Sequence, residues 1–172
     1  AADSSGNVYI TGHTSSDIDG NTNLGGTDIF IQKYNTSGDK QWTRTIGTSS
    51  DENPDGITID SSGNIFVTGS TQGNMDGNSK SNHSGDFFLV KYNSTGTKQW
   101  TRQLGTSSYE TAYGVVSDSS GNVYVTGSTN GNLDGNLKTG ITDLYVVKYD
   151  SSGNKQWTRQ LGSSSGSARG FG

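Results

Sequence analysis

Residues 86–92 read DFFLVKY, and the placing of that run decides the fold. Side chains of an extended chain alternate between two faces. Phe87 and Leu89 then point one way and Phe88, Val90 and Tyr92 the other, so the strand is apolar on both sides. A sheet wetted on one side would alternate apolar with polar residues. This strand therefore belongs to a sheet packed between two neighbours. Residues 28–34 (DIFIQKY) and 143–149 (DLYVVKY) carry the same pattern.

Working outward, each such strand lies in a repeated unit. DSSGN opens at Asp3, Asp60 and Asp118, spacings of 57 and 58 residues, followed by VYITG, IFVTG and VYVTG. An apolar-Asp-Gly-Asn loop follows at Ile18, Met75 and Leu133, then the strand just described, then KQWTR from Lys40, Lys98 and Lys155. A fixed period of this length marks a propeller or solenoid array. Each unit reads as four short strands, in the second unit Gly56 to Asp60, Asn64 to Thr71, Asp86 to Asn93 and Lys98 to Gly105. DSSGN joins strands one and two, and its relatives NTSGD at 35, NSTGT at 93 and DSSGN at 150 join strands three and four. Asp or Asn bonds its own backbone there, and Gly supplies the positive φ of a tight hairpin. The expected domain is 1–172, in units of approximately 1–55, 56–113 and 114–172, permuted relative to the blade boundaries. The rival architecture is a β-trefoil, which also counts three units of four strands.

Composition narrows the functions. Apolar residues are only 27% of the 172, with 26 Gly, so order depends on the periodicity. Net charge is −4, and the 12 Lys and Arg are dispersed, which gives no footprint for nucleic acid. No apolar run approaches the ~18–20 residues of a membrane span. Without cysteine there are no disulfides, thiolate metal sites or cysteine nucleophiles.

The run from Gly114 to Gly162, with DSSGNVYVTGST, the LDGN loop and DLYVVKYDSSGNKQWTRQLG, resembles the bacterial β-propeller repeat family known as SBBP repeats, in three copies over the whole chain. DSSGNKQW also resembles the Trp-docking element of quinoprotein propellers. The family resemblance implies an all-β fold of four-stranded antiparallel propeller blades, secreted or on the cell surface, with no enzymatic activity to carry across. Trp42, Trp100 and Trp157 are expected to pack between blades with the indole N–H bonded to a neighbouring backbone. Closed propellers need four to eight blades. Three imply completion by a second copy, a homodimer of six blades, or by further repeats of a parent chain.

The loop between strands two and three holds the candidate metal ligands. These are Asp17, Asp19 and Asn21 with Asp28, Asn74, Asp76 and Asn78 with Asp86, and Asn132, Asp134 and Asn136 with Asp143. Oxygens at alternate positions around a turn resemble the start of an EF-hand loop, making Ca2+ the one candidate cofactor, with a structural role. The opposing reading is turn chemistry, with the strand-three Asp capping backbone N–H groups.

Catalytic sets are lacking in the inventory. His13 and His83 occupy non-equivalent positions and read as surface residues. Glu52 and Glu110 fall in the turns between units, and Lys33, Lys91 and Lys148 read as solvated strand tips. The expected function is a non-enzymatic extracellular propeller, a scaffold or a module recognising protein or glycan. The alternative is a lectin-like propeller with one sugar pocket per blade.

Overall fold

The computed structural model describes residues 1–81 and 85–171; His83 lies outside the described residues. Eleven strands run in chain order: β1 (Val8–Thr14), β2 (Asp28–Tyr34), β3 (Lys40–Ile46), β4 (Glu52–Ile59), β5 (Ile65–Thr71), β6 (Asp86–Tyr92), β7 (Lys98–Leu104), β8 (Glu110–Ser117), β9 (Val123–Thr129), β10 (Asp143–Tyr149) and β11 (Lys155–Leu161). Among the described residues two single 3-10 turns, Met75–Gly77 and Leu133–Gly135, complete the regular structure. Among the described residues no helix is long and apolar enough to cross a membrane.

The strands form three antiparallel meanders, β1-β2-β3, β4-β5-β6-β7 and β8-β9-β10-β11, termed here blades one, two and three. Two details differ from the sequence reading. Blade one has three strands rather than four, with a single Ala2–Val8 bridge on its inner side. The inner strands also start earlier, at Glu52 and Glu110 rather than Gly56 and Gly114, because a register shift between Pro54 and Gly56, and between Ala112 and Gly114, carries the pairing onward.

The turns behave as their composition requires. Asp60 Oδ1 accepts from the N–H groups of Ser62 and Asn64, at 2.9 and 2.8 Å, while Gly63 N–H donates to Asp60 O. The chain reverses only because Gly63 takes φ +78°.

Packing bears out the two-faced strand. Phe88 and Val90 join Tyr9, Ile29, Ile31, Ile65 and Val67 in a core between blades one and two. From the same strand, Phe87 and Leu89 join Phe66, Val123, Val125, Tyr145 and Val147 in a second core between blades two and three. All four β6 side chains are fully buried. Phe87 stacks on Tyr145 with ring centroids 5.1 Å apart. Truncating a core Leu or Phe of this kind costs about 2–5 kcal/mol. Sheets laid face to face with separate cores between them are blades, not the single capped barrel of a trefoil. On the outer blades, β2 and β10 bury one face and leave Phe30, Leu144 and Val146 half-buried on the other.

Candidate functional site

At the loop edge of the blades the structure collects carboxylates. Glu52 and Glu110, read from sequence as turn residues, are instead the first residues of β4 and β8, with no solvent exposure. Glu110 Oε2 accepts from Thr106 N–H at 2.7 Å, and Oε1 accepts from the hydroxyls of Thr106 and Thr129, both at 2.7 Å. Thr48 and Thr71 serve Glu52 in the same way. Burial pushes both glutamates above the ordinary carboxylate range against the lowering effect of these threonines, and the charges of Asp28 and Asp86 add to the rise. The one sequence signal was a Thr four residues before each of the only two glutamates.

The strand-three aspartates are buried at the same edge, Asp28 near Glu52 and Asp86 near Glu110. Asp86 Oδ2 accepts from Gln103 Nε2 and Ser81 N–H, and its Oδ1 from the Ser81 hydroxyl. Asp143 accepts from Gln160 Nε2, Thr139 N–H and Gly140 N–H. These bonds outweigh burial, and Asp143 is held below the usual aspartate range. The capping role expected of this aspartate is thus present in all three blades. In blade one, however, Thr45 stands where the others have Gln. Asp28 Oδ2 accepts from Leu24 N–H, but Oδ1 has no partner among the described residues, and burial pushes its carboxyl up. The carboxylate lies so close to the strand-four end that a Cβ at Gly47 would collide with Asp28 Oδ1, as one at Gly105 would with Asp86 Oδ1.

The loop residues proposed as metal ligands turn to different partners. Asp17 Oδ1 accepts from Asn23 N–H, Asn74 Oδ1 from Lys80 N–H and Asn132 Oδ1 from Lys138 N–H. Asn21, Asn78 and Asn136 donate their side-chain N–H to the carbonyls of Ile18, Met75 and Leu133. Asp19, Asp76 and Asp134, all at φ near +50°, reach away to the lysine that opens strand four, Lys40, Lys98 and Lys155. Thr43 and Thr101 add a hydroxyl to Asp19 and Asp76. Lys40 first, then Thr43, holds Asp19 below the usual range. Met75 and Leu133 are buried in the inter-blade cores, pinning their loops from inside, whereas Ile18 of blade one is only half-buried. Among the described residues no group of three or more His, Cys, Asp or Glu side chains is placed to hold a metal ion. The protein bonds above are what a cation at these loops would have to displace.

On the opposite strand face, each strand-four Trp lies under an arginine two residues on, with Arg102 5.1 Å from the Trp100 centroid. The expected indole bond is absent among the described residues, and in blades one and two the arginine makes it instead. Arg44 Nε donates to Gly96 O of the next blade at 2.8 Å, and Arg102 Nε to Gly153 O at 2.6 Å. Lys33, Lys91 and Lys148 are not free tips: their ammonium groups lie 5.2–5.4 Å from the ring centroids of Tyr9, Phe66 and Tyr124. Beside this face, a groove of about 430 Å3 is lined by Asp76, Asn78, Lys98, Trp100 and Arg102.

Two relatives extend the comparison. The chain is 27% identical over 167 residues to a protein named regulatory protein FlaEY of Caulobacter vibrioides, covering 88% of this chain and 18% of the relative. It is 28% identical over 162 residues to an uncharacterized WD repeat-containing protein of Acanthamoeba polyphaga mimivirus, covering 78% of this chain and 12% of that one. The chain thus spans less than a fifth of the length of these curated relatives. The family described as Beta-propeller repeat (SBBP) matches at residues 1–19, 41–74 and 99–134, the latter two each running from the last strand of one blade into the loop after the second strand of the next. With three blades of its strand pattern and more than half its residues matched, the chain belongs to the SBBP β-propeller repeat family.

Proposed function

We propose that the chain is a non-enzymatic scaffold of a secreted or surface propeller, assembled with blades of its own kind, and that its loop edge recognises a protein. The observation that carries this reading is the apolar exposure on that edge: Leu24, Tyr109, Leu137 and Ile141 are all exposed there. Exposed large apolar side chains on loops held by rigid sheets fit a binding rim. A catalytic role is disfavoured because Glu52 and Glu110 are sealed from solvent with their oxygens spent on threonines. One relative's name, a regulatory protein, also supports binding over catalysis. The family resemblance is what supports the secreted or surface setting.

A glycan reading has one supporting observation, the groove of Asp76, Asn78, Lys98, Trp100 and Arg102, which offers an aromatic face beside paired polar groups. Selection from a peptide display library and a glycan array, run on the same protein, separates the two. Peptide binding lost on Leu137→Ser with Ile141→Ser, at unchanged melting temperature, supports the rim. Glycan binding lost on Asn78→Ala in a folded protein supports the groove. Turnover in a broad hydrolase panel that survives repurification would overturn the non-enzymatic reading.

A further inference from the structure

Blade one departs from the other two around a single buried carboxylate. Asp28, Asp86 and Asp143 open equivalent strands and are all sealed from solvent. Asp86 Oδ1 accepts from the Ser81 hydroxyl and Asp143 Oδ1 from Gly140 N–H, each at 2.7 Å. Three changes strip such donors from Asp28. Leu24, whose N–H sits where those of Ser81 and Thr139 do, brings no hydroxyl. Gly25 N–H is drawn off to Asn23 Oδ1 at 3.0 Å. Thr45 takes the place of Gln103 and Gln160, opposite Phe30 as they are opposite Phe88 and Tyr145. All of these residues belong to blade one, so it is its own blade that leaves Asp28 Oδ1 without a partner among the described residues.

The same glutamines hold their loops down. Gln103 donates to Gly73 O and accepts from Met75 N–H, both at 3.0 Å, and Gln160 does the same with Gly131 and Leu133. In blade one Ile18 N–H turns to Asn21 O instead. Segment 22–26 then closes over Asp28 through one bond, from Leu24 N–H to Oδ2 at 2.7 Å, while Asn23 is tied within its own loop to Asp17 Oδ1 and to Thr14 O. The segment ends in two glycines at positive φ, Gly25 at 140° and Gly26 at 50°. A Cβ on Gly25 would lie 2.8 Å from Ser49 Cα, and one on Gly26 2.5 Å from Asp51 Oδ1, so only glycine seats there and the pair forms a ready hinge. The charged groups around Asp28 do not help it ionise. Glu52 on β4 and Asp51 in the turn before it are acidic, His13 on β1 is exposed and pairs with Ile29, and Lys40 on β3 is spent on Asp19. Burial therefore raises the Asp28 carboxyl against its single N–H.

We infer that segment 22–26 is a proton-operated latch, closed over Asp28 while that carboxyl is neutral and swung out on Gly25 and Gly26, with water reaching Oδ1, once the proton has passed to solvent. A buried carboxylate with one hydrogen bond is costly, and blade one alone lacks the glutamine that would hold the loop in place against that cost. For a group raised by burial, the closed form is favoured in full below the ordinary aspartate value of 3.8 and loses ground as pH rises through the raised one. Leu24, 60% exposed, rides on the segment. The latch thereby sets whether the blade-one part of the recognition rim is in place, a consequence that rests on the rim reading above.

Hydrogen exchange in the unliganded chain, corrected for the intrinsic pH dependence of amides, tests the latch. Leu24 N–H is compared with Thr139 N–H, which bonds the well-satisfied Asp143 in the same way. Protection of Leu24 is expected to fall between pH 4 and pH 8, by up to about tenfold per pH unit above the Asp28 value, while that of Thr139 holds steady. Asp28→Asn is neutral throughout and should flatten the Leu24 profile, whereas Glu52→Gln and His13→Gln should leave the fall in place. Should Asp28→Asn not fold, Thr45→Gln supplies the missing donor and is expected to flatten the profile too. A Leu24 profile parallel to that of Thr139, a fall that survives in whichever of the Asp28→Asn and Thr45→Gln variants folds, or a fall abolished by Glu52→Gln or His13→Gln overturns the proposal. Peptide binding with a flat Leu24 profile sinks the latch alone, and a falling profile without peptide binding sinks only the recognition reading.

Discussion

The hydroxyl of Thr129 donates to Glu110 Oε1 at 2.7 Å, and neither side chain reaches solvent. That bond ties the start of β8 to the end of β9, at the edge where blade two hands the chain to blade three. Glu52 and Thr71 make the same tie one blade earlier.

A glutamate whose carboxyl is raised by burial is most stabilising when protonated. Its contribution is therefore complete below the ordinary value of 4.5 and falls as pH rises through the raised folded value. Thermal melts between pH 4 and pH 8 on Glu52→Gln should show a smaller loss of stability with rising pH than wild type. An identical pH dependence in both proteins would show that the buried glutamate does not titrate there. Glu52→Ala leaves Thr48 N–H without its acceptor and should cost about 1–3 kcal/mol at every pH.

Blade one lacks the amide that serves the other two strand-three aspartates. Thr45→Gln is expected to place a donor on Asp28, as Gln103 does on Asp86 and Gln160 on Asp143. The gain should be about 1 kcal/mol in urea unfolding, together with a fall in the Asp28 pKa measured by NMR. The reciprocal change, Gln160→Thr, should destabilise by a similar amount. Loss of stability in Thr45→Gln would mean that the site has no room for the amide.

Asp76 combines a left-handed backbone with a bond to Lys98 and Thr101. Asn tolerates that conformation and can still accept from Thr101, whereas Ala pays about 1–2 kcal/mol for the backbone alone. Chemical denaturation should rank the variants Asp76→Asn above Asp76→Gly above Asp76→Ala. If Ala were as stable as Asn, the loop conformation would carry no cost.

Calcium provides a separate test of these loops. Their side chains already serve protein partners, so melting curves in millimolar calcium and in chelator should coincide. A rise in melting temperature that saturates with calcium, and that Asp76→Asn removes, would assign the loop to the cation.

The period, the four-strand unit and the turn types were legible in the chain because each depends on local chemistry. DSSGN can only reverse the chain, and DFFLVKY cannot rest with one side in water. The sites were less legible. Glu52 looks like one more polar residue in a turn until β4 folds back on β5 and brings Thr71 to it. Arg44 and Arg102 looked like companions of their tryptophans, and only the neighbouring blade supplies the carbonyls of Gly96 and Gly153.

The sequence by itself determined that the strands form stacked sheets, since alternation and hairpin turns are set by covalent geometry and by burial of adjacent side chains. Tertiary structure alone decided which carboxylates are sealed and which carbonyl Arg44 and Arg102 meet. Those contacts join residues about 20 to 50 positions apart, and nothing in the local chain encodes that distance in space.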